Sequence, residues 1–446
     1  MNPLVRASKI AVTGTFGAGK SVFLLSLLHH LHHHDPEAFR LGERRARPLT
    51  LKGVRGVDVE PSYQQFPYPT FSQRLMQPQG GLWPSRVHSV QRYTLRLRRA
   101  GHLRADQLEF MTFPLERLMD LSIAQTHSYS DWADRILRKI DDDPQASRQA
   151  RQYMQHLDAP DLQPERLVSV YKSALAQFVF DYKPFAAPST FMIDLDGGRI
   201  EGGSPKVVSQ GRYVGLPPQN GKAAREFIPL SAITRMRAPH VMRQHEQHYQ
   251  AYRDEVARPL FEEVSGANTL VVLLDIASIL SGGRAAFDEQ LNLLDELRQL
   301  LKGRGRSTPA LGKSRLSRVA LVATKCDLVR IFERDARLPH LLRQLTDPFV
   351  ESLHPSIEIG RFLCSPCVST RPHADPEMLI GRLIHAAQNS ERIERPFPVP
   401  EVPRFWPESY SPSDYPFFKV WPPALQAHEK ITRHHKLDDV CRFLLA

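Results

Sequence analysis

Ile10-Ala11-Val12-Thr13-Gly14-Thr15-Phe16-Gly17-Ala18-Gly19-Lys20-Ser21 places two glycines with four residues between them directly before Lys-Ser. A β-branched apolar run leads into the first glycine. An apolar helical pattern, Val22-Phe23-Leu24-Leu25-Ser26-Leu27-Leu28, leaves the serine. Strand, glycine loop and helix in this order make a phosphate-binding P-loop. Glycines let successive backbone N–H groups turn toward a phosphate, and the helix N-terminus adds its dipole. The spacing predicts a cradle made by Gly14, Phe16, Gly17, Ala18, Gly19, Lys20, Ser21 and Val22. Lys20 would neutralise β- and γ-phosphate oxygens, and the Ser21 hydroxyl would hold Mg²⁺.

Outward from this loop, the sequence alternates strands and helices. Tyr93–Arg98 alternates apolar and polar residues, and Leu108–Phe113 is a second strand, as in an antiparallel edge pair. Thr269–Asp275 and Arg318–Thr324 are continuous apolar runs of the kind buried in a parallel sheet. Residues 361–368 are predicted as the last strand, before a helix over 376–390. Between these halves, residues 115–183 carry Leu118, Leu121, Trp132, Ile136, Leu137, Ile140, Met154, Leu157, Leu167, Val170, Leu175 and Phe178 at helical spacing. Thr190–Asp194 and the Gly/Pro-rich stretch after it read as irregular or β material, and a further helix is expected over 240–264. Residues 39–84, rich in Pro, Gly, Gln and Arg, read as a partly irregular excursion.

The expected fold class is α/β, a mostly parallel P-loop NTPase sheet of GTPase-like type, flanked by helices and carrying an inserted helical domain. Residues 1–114 and 266–393 are expected to form the nucleotide-binding domain. Residues 115–265 form the insertion, and residues 394–446 a Pro- and aromatic-rich strap with a final helix.

A chain of 446 residues, 41% of them hydrophobic, can bury one large core and a second unit. It has no apolar run of membrane-spanning length and no secretory apolar segment near Met1, which predicts a cytoplasmic protein. Four cysteines fit a reducing compartment. The net charge of +11 suits an acidic partner. Arginines cluster at Arg40, Arg44, Arg45, Arg47 and Arg55, then at Arg92, Arg96, Arg98, Arg99 and Arg104, without the interleaved aromatics of a single-strand binder. A nucleic-acid role would rest on charge alone, and a solvated basic face is the preferred reading.

Thr324-Lys325-Cys326-Asp327 ends the Arg318–Thr324 run. A segment of the form Asn/Thr-Lys-x-Asp reads guanine: the carboxylate accepts from N1–H and the exocyclic amine, and the lysine stem packs on the ring. Adenine would leave that carboxylate unpaired. Val368 and Ser369 sit where a third base-contacting loop is placed, with a plain strand–helix turn as the open alternative. Use of ATP and a helix-start loop with Asp327 as a cap stay open as alternatives.

Several segments resemble the YcjX-like family of bacterial, stress-associated P-loop GTPases. They are the P-loop with Val22-Phe23, Leu82-Trp83-Pro84, Phe113–Leu121, Leu274-Asp275 with Leu280–Gly283, Thr324–Asp327, Phe417-Phe418-Lys419 and Leu437–Val440. They run in family order over nearly the whole chain. The resemblance implies binding of GTP and GDP with Mg²⁺, a switch role in stress response and a protein partner at a membrane.

The family's Asp-x-Pro-Gly-Glu reads here Thr112-Phe113-Pro114-Leu115-Glu116. A neutral threonine replaces the carboxylate near Mg²⁺, and leucine replaces the glycine that senses the γ-phosphate. The family's threonine after Trp-Pro falls near Val87, with Ser85 and Ser89 as neighbouring hydroxyls. Slow hydrolysis is therefore expected, with Lys20 and Glu116 as the catalytic candidates and Glu116 orienting water. A scaffold with structural nucleotide is the alternative. Asp120 is read as a helix-surface charge. His29–His34 admit a metal reading but are expected to form a histidine-rich surface helix end. Cys364 and Cys367 are read as partly buried thiols.

Overall fold

A computed structural model describes residues 5–41, 51–57, 64–77, 81–84, 90–100, 105–125, 128–157, 159–180, 188–193, 212–219, 221–302, 316–329, 337–384, 393–425, 429 and 431–446. Arg44, Arg45, Arg47, Ser85, Val87, Ser89, Arg104, Asp194 and the end of the expected 376–390 helix lie outside the described residues.

The chain forms two compact units. One contains Met1–Pro114, Ser265–Gln290 and Arg304–Ala446, the other Leu115–Val264 and Leu291–Gly303. In the first unit, β1 (Val5–Gly14) runs into α1 (Lys20–His32) through the glycine loop. The main sheet adds β2 (Leu51–Val57), β3 (Gln64–Gln65), β4 (Gln91–Arg99), β5 (Ala105–Thr112), β8 (Thr269–Leu274), β9 (Arg318–Ala323) and β10 (Glu358–Leu363), while β6 (Gly215–Leu216) and β7 (Arg225–Glu226) pair with each other in the second unit. Its order is β10-β9-β8-β1-β5-β4-β2, with β3 beside β4. The run from β10 to β5 is parallel, and β4 is antiparallel to both β5 and β2. This is the expected mostly parallel α/β sheet with flanking helices.

Sequence patterning explains the placement. All six residues of β8 are buried, as a strand with neighbours on both edges and cover on both faces demands. In β4 the alternation leaves Tyr93, Leu95 and Leu97 buried, with Arg92, Thr94 and Arg96 between them more open. Phe23, Leu24, Leu27, Leu28 and Leu31 of α1 join Ile10, Val12, Phe110 and Val271 in one core.

Three expectations for this unit are corrected. The 39–84 excursion contains β2, β3 and a helix at Tyr68–Leu75, so β4 has a strand on each side and is no edge. The last sheet strand ends at Leu363 rather than 368. Residues 376–390 do not start a helix. Met378–Gly381 (β12) is a strand between Thr370–Pro372 (β11) and Arg395–Pro398 (β13) in an antiparallel sheet. Its Leu379 and Gly381 are buried while Met378 and Ile380 are more open, a period of two, and prolines at 396 and 398 keep the outer strand extended. Leu437–Leu445 is a helix, as the sequence predicts.

The second unit is mainly helical, with helices at Tyr129–Asp142, Pro164–Phe180 and Pro239–Tyr252 among its longest. Trp132, Phe227 and Tyr249 meet at ring separations of 5.1–5.5 Å, and the Tyr129 hydroxyl donates to Ile228 O at 2.5 Å. Irregular backbone at 227–230 thereby finds partners inside a helical core. Ser189–Ile193 is a short helix rather than irregular or β material. The expected 240–264 helix is interrupted by a π turn at Arg253–Ala257 before continuing over Arg258–Ser265. Among the described residues, no helix is long and apolar enough to cross a membrane.

Candidate functional site

Four of the loops at the carboxyl ends of the parallel strands of the first unit lie where open α/β sheets bind ligands. The glycine loop follows β1, Asp275 follows β8, Thr324–Asp327 follows β9 and Cys364–Ser369 follows β10.

The glycines of the first loop are needed for two different reasons. A Cβ on Gly14 would lie 2.6 Å from Leu273 O of the neighbouring strand, so close approach forbids any side chain. Gly17 and Gly19 have φ of 86° and 89° with open space around them, so backbone conformation alone demands glycine there. The Lys20 ammonium reaches back to Gly14 O at 2.7 Å and Thr15 O at 3.0 Å. Phe16 is half-buried, Ala18 is buried, and Ser21 and Val22 lie in the first turn of α1. The curled backbone, the lysine across it and the helix start fit a polyphosphate.

The second loop is fastened on three sides. The Thr324 hydroxyl donates to Ala18 O at 2.9 Å, tying this loop to the glycine loop. Lys325, in the left-handed region at φ 54°, places its ammonium 2.6 Å from Asp275 Oδ2. Asp327 is buried, and its Oδ2 accepts from Ser369 N at 2.8 Å and Ser369 Oγ at 2.7 Å. Asp327 N donates to Ser365 Oγ at 2.8 Å, and the Thr370 hydroxyl donates to Asp327 O. The structure thus brings the glycine loop, Thr324, Lys325, Asp327 and Ser369 together. Val368 takes part through its backbone, donating to Arg433 O at 2.8 Å.

Sequence reasoning missed the backing of this loop. Ser365 and His435 exchange backbone hydrogen bonds at 3.0 and 2.8 Å, so the segment before the last helix pairs with the loop after β10. Nothing in the local pattern near 365 announces a partner so far along the chain. Asp275 does have a local signal: an acidic residue closing a buried strand, three positions before Ser278, which it caps through Ser278 N at 3.0 Å.

Beside β1, Phe113 N donates to Val12 O at 3.1 Å and the Thr13 hydroxyl donates to Phe113 O at 3.1 Å. The Thr112 position therefore lies next to the end of β1, in register with Val12. Ser21 and Thr112, the candidates here for cation contact, carry neutral hydroxyls. Glu116, the other catalytic candidate, lies on the 3-10 turn Leu115–Asp120 that opens the second unit and is buried.

Two surface expectations are corrected. Asp120 is buried, accepting from Ser189 N at 3.0 Å, from the Ser189 hydroxyl and from the Tyr252 hydroxyl at 2.9 Å. Burial raises its carboxyl above the usual range, against the opposing pull of Arg117. His29 and His30 are buried too, since helix 68–75 and residue Phe39 cover that side of α1. His29 Nδ1 lies 3.3 Å from the Tyr68 hydroxyl, and the His30 ring stacks on Phe39 at 4.9 Å. Burial, then His434 and His29, push the His30 pKa down to about 3. Cys326, Cys364, Cys367 and Cys441 are all buried free thiols, and burial pushes the Cys326 thiol up to about 12. Among the described residues, no three or more His, Cys, Asp or Glu are grouped to hold a metal.

The model of the YcjX-like family, DUF463, matches residues 8–446. A curated protein of Shewanella oneidensis, the Ras-like GTPase YcjX, is 23% identical over 390 residues, spanning 78% of this chain and 73% of its own length.

Proposed function

The chain belongs to the YcjX-like family, and from that premise we propose that it binds GTP and GDP as a nucleotide-dependent switch that hydrolyses GTP slowly. The observation that carries this reading is the Thr324–Ala18 hydrogen bond of 2.9 Å, which makes one structure of a phosphate loop and a guanine-type loop. A ligand with a polyphosphate at one end and a guanine edge at the other matches such a pair. The relative's name, Ras-like GTPase, supports the same ligand class.

Gly14 and Phe16–Val22 would receive the phosphates, with Lys20 leaving its carbonyls for phosphate oxygens. Asp327, its plane fixed by Ser369, would accept from the guanine N1–H and amine. Ser21 would contact Mg²⁺, which when bound would offset phosphate charge. The neutral Thr112 and the bulky Leu115 support slow turnover, because charge beside the metal and backbone freedom at the γ-phosphate are both reduced. Glu116 is the remaining candidate for orienting water. We assign the switch, on the family resemblance, to a stress-related pathway with a protein partner at a membrane. The same two substitutions favour a second reading, a scaffold whose bound nucleotide is structural.

Calorimetry with GTP, GDP and ATP, with and without Mg²⁺, tests the ligand. Guanine nucleotides are expected to bind and ATP to bind far more weakly. Absence of heat with all three would overturn the proposal. Turnover compared with Lys20→Ala tests hydrolysis, and brisk Lys20-dependent phosphate release would contradict the slow-turnover claim.

A further inference from the structure

We infer that Asp275 is a positioning residue for the nucleobase: its carboxylate aims the Lys325 side chain while its other oxygen caps the helix that follows β8. The inference rests on guanine-nucleotide binding by this chain and adds a residue that the base-reading tetrapeptide itself does not contain.

Asp275 stands immediately after Leu274, the last residue of β8, in the centre of the sheet. It is 2% exposed. A carboxylate buried to that degree is costly unless it is fully paired, and each of its oxygens is occupied. Oδ1 accepts from Ser278 N at 3.0 Å, the N-cap bond of the helix Ile276–Ser281. Oδ2 accepts from the Ser278 hydroxyl at 2.5 Å and from the Lys325 ammonium at 2.6 Å. The cap fixes the carboxylate, and the fixed carboxylate holds the lysine.

Lys325 needs such an anchor. Its side chain is 35% exposed, and a lysine stem free at every torsion would sample many directions. Its backbone is also unusual: Lys325 and Lys436 are the two non-glycine residues with positive φ among those described. A left-handed residue turns its side chain away from the course of a strand, here toward Asp275 on the adjacent strand end. Leu328 N closes the turn on Lys325 O at 2.9 Å. With its ammonium fixed at Asp275 and its Cα fixed by the turn, the aliphatic stem is stretched between two points. It then forms a flat apolar rail beside Asp327, where a purine ring would lie. A base could stack on that rail without first paying to order it.

Asp275→Asn separates the two jobs, because asparagine caps a helix about as well as aspartate but offers Lys325 no charge. GDP affinity should fall about ten- to a hundredfold, the range for losing a hydrogen bond to a charged group, with the thermal midpoint nearly unchanged. Affinity for pyrophosphate, which has no base to stack, should stay at the wild-type value. In a Lys325→Ala background, Asp275→Asn should cost no further GDP affinity, because the rail is already gone. Equal losses for GDP and pyrophosphate, or additive losses in the double variant, would reduce Asp275 to a structural cap and overturn the inference. Wild-type GDP affinity in Asp275→Asn would overturn it as well, while leaving guanine binding intact. Failure of the wild-type chain to bind GDP would instead remove the functional reading itself.

Discussion

The hydroxyl of Thr324 and the carbonyl of Ala18 are hydrogen-bonded at 2.9 Å across 306 positions of sequence. Backbone of the glycine loop is thus tied to the first residue of the Thr324–Asp327 segment. The two loops cannot shift independently while this bond is intact.

Thr324→Val keeps the shape and removes the donor. GDP affinity is expected to fall about tenfold, the scale of one buried hydrogen bond with its orphaned acceptor. Calorimetry checks it, and an unchanged Kd would mean the loops hold their positions without the tie.

Ser369→Ala removes one of the two donors to Asp327 Oδ2 and leaves the backbone one. A loosened carboxylate should discriminate less, so the ratio of GTP to ATP affinity is expected to drop a few-fold. Competition of ATP against labelled GDP reads the ratio directly.

Stability should fall on mild acidification. His30 carries a depressed folded pKa of about 3 against an ordinary 6.5. The unfolded chain therefore binds more protons between those values, and stability is lost as pH falls through that window. His30 faces His29 of its own helix, His34 just beyond the helix end and His434 of the C-terminal segment, and the His434 pKa is also lowered, mainly by burial. The slope attributable to His30 is roughly 1.4 kcal/mol per pH unit between about pH 6 and 4. His30→Leu should lessen the pH dependence of denaturant unfolding over that range while changing little at pH 7.5. An identical slope in the variant would contradict the assignment.

Asp120→Ala should destabilise the helical unit by about 2–4 kcal/mol, because Ser189 N and the Tyr252 hydroxyl are left buried without their acceptor. Tyr252→Phe, which removes a donor and leaves Asp120 its Ser189 bonds, should cost less, about 1 kcal/mol. Urea midpoints of both variants decide this, and the reverse ranking would refute it.

The parallel sheet was legible because its strands are apolar runs closed by chemically distinctive residues, as at Gly14 and Thr324. Periodicity also exposed the helical insertion, where Trp132, Ile136 and Ile140 recur on one face. It misled at Met378–Gly381, a stretch too short for two and 3.6 to be told apart, whose strand character depends on partners at 370–372 and 395–398. Asp120, His29 and His30 look like surface residues in sequence because polarity is local information, whereas Ser189, Tyr252, Tyr68 and Phe39 arrive from elsewhere in the chain. Thr324, Lys325, Asp327 and Ser369 announced themselves by type and spacing. Their supports did not: the Ser365 hydroxyl meets Asp327 N from 38 positions away, and His435 holds Ser365 through backbone hydrogen bonds, which leave no mark on residue identity.

The pairing of His435 with Ser365 has a consequence for biosynthesis. Synthesis makes the glycine loop long before the segment around His435 that backs Ser365. A nascent chain therefore carries the glycine loop while the loop after β10 still lacks its backing, which arrives only once His435 has been made.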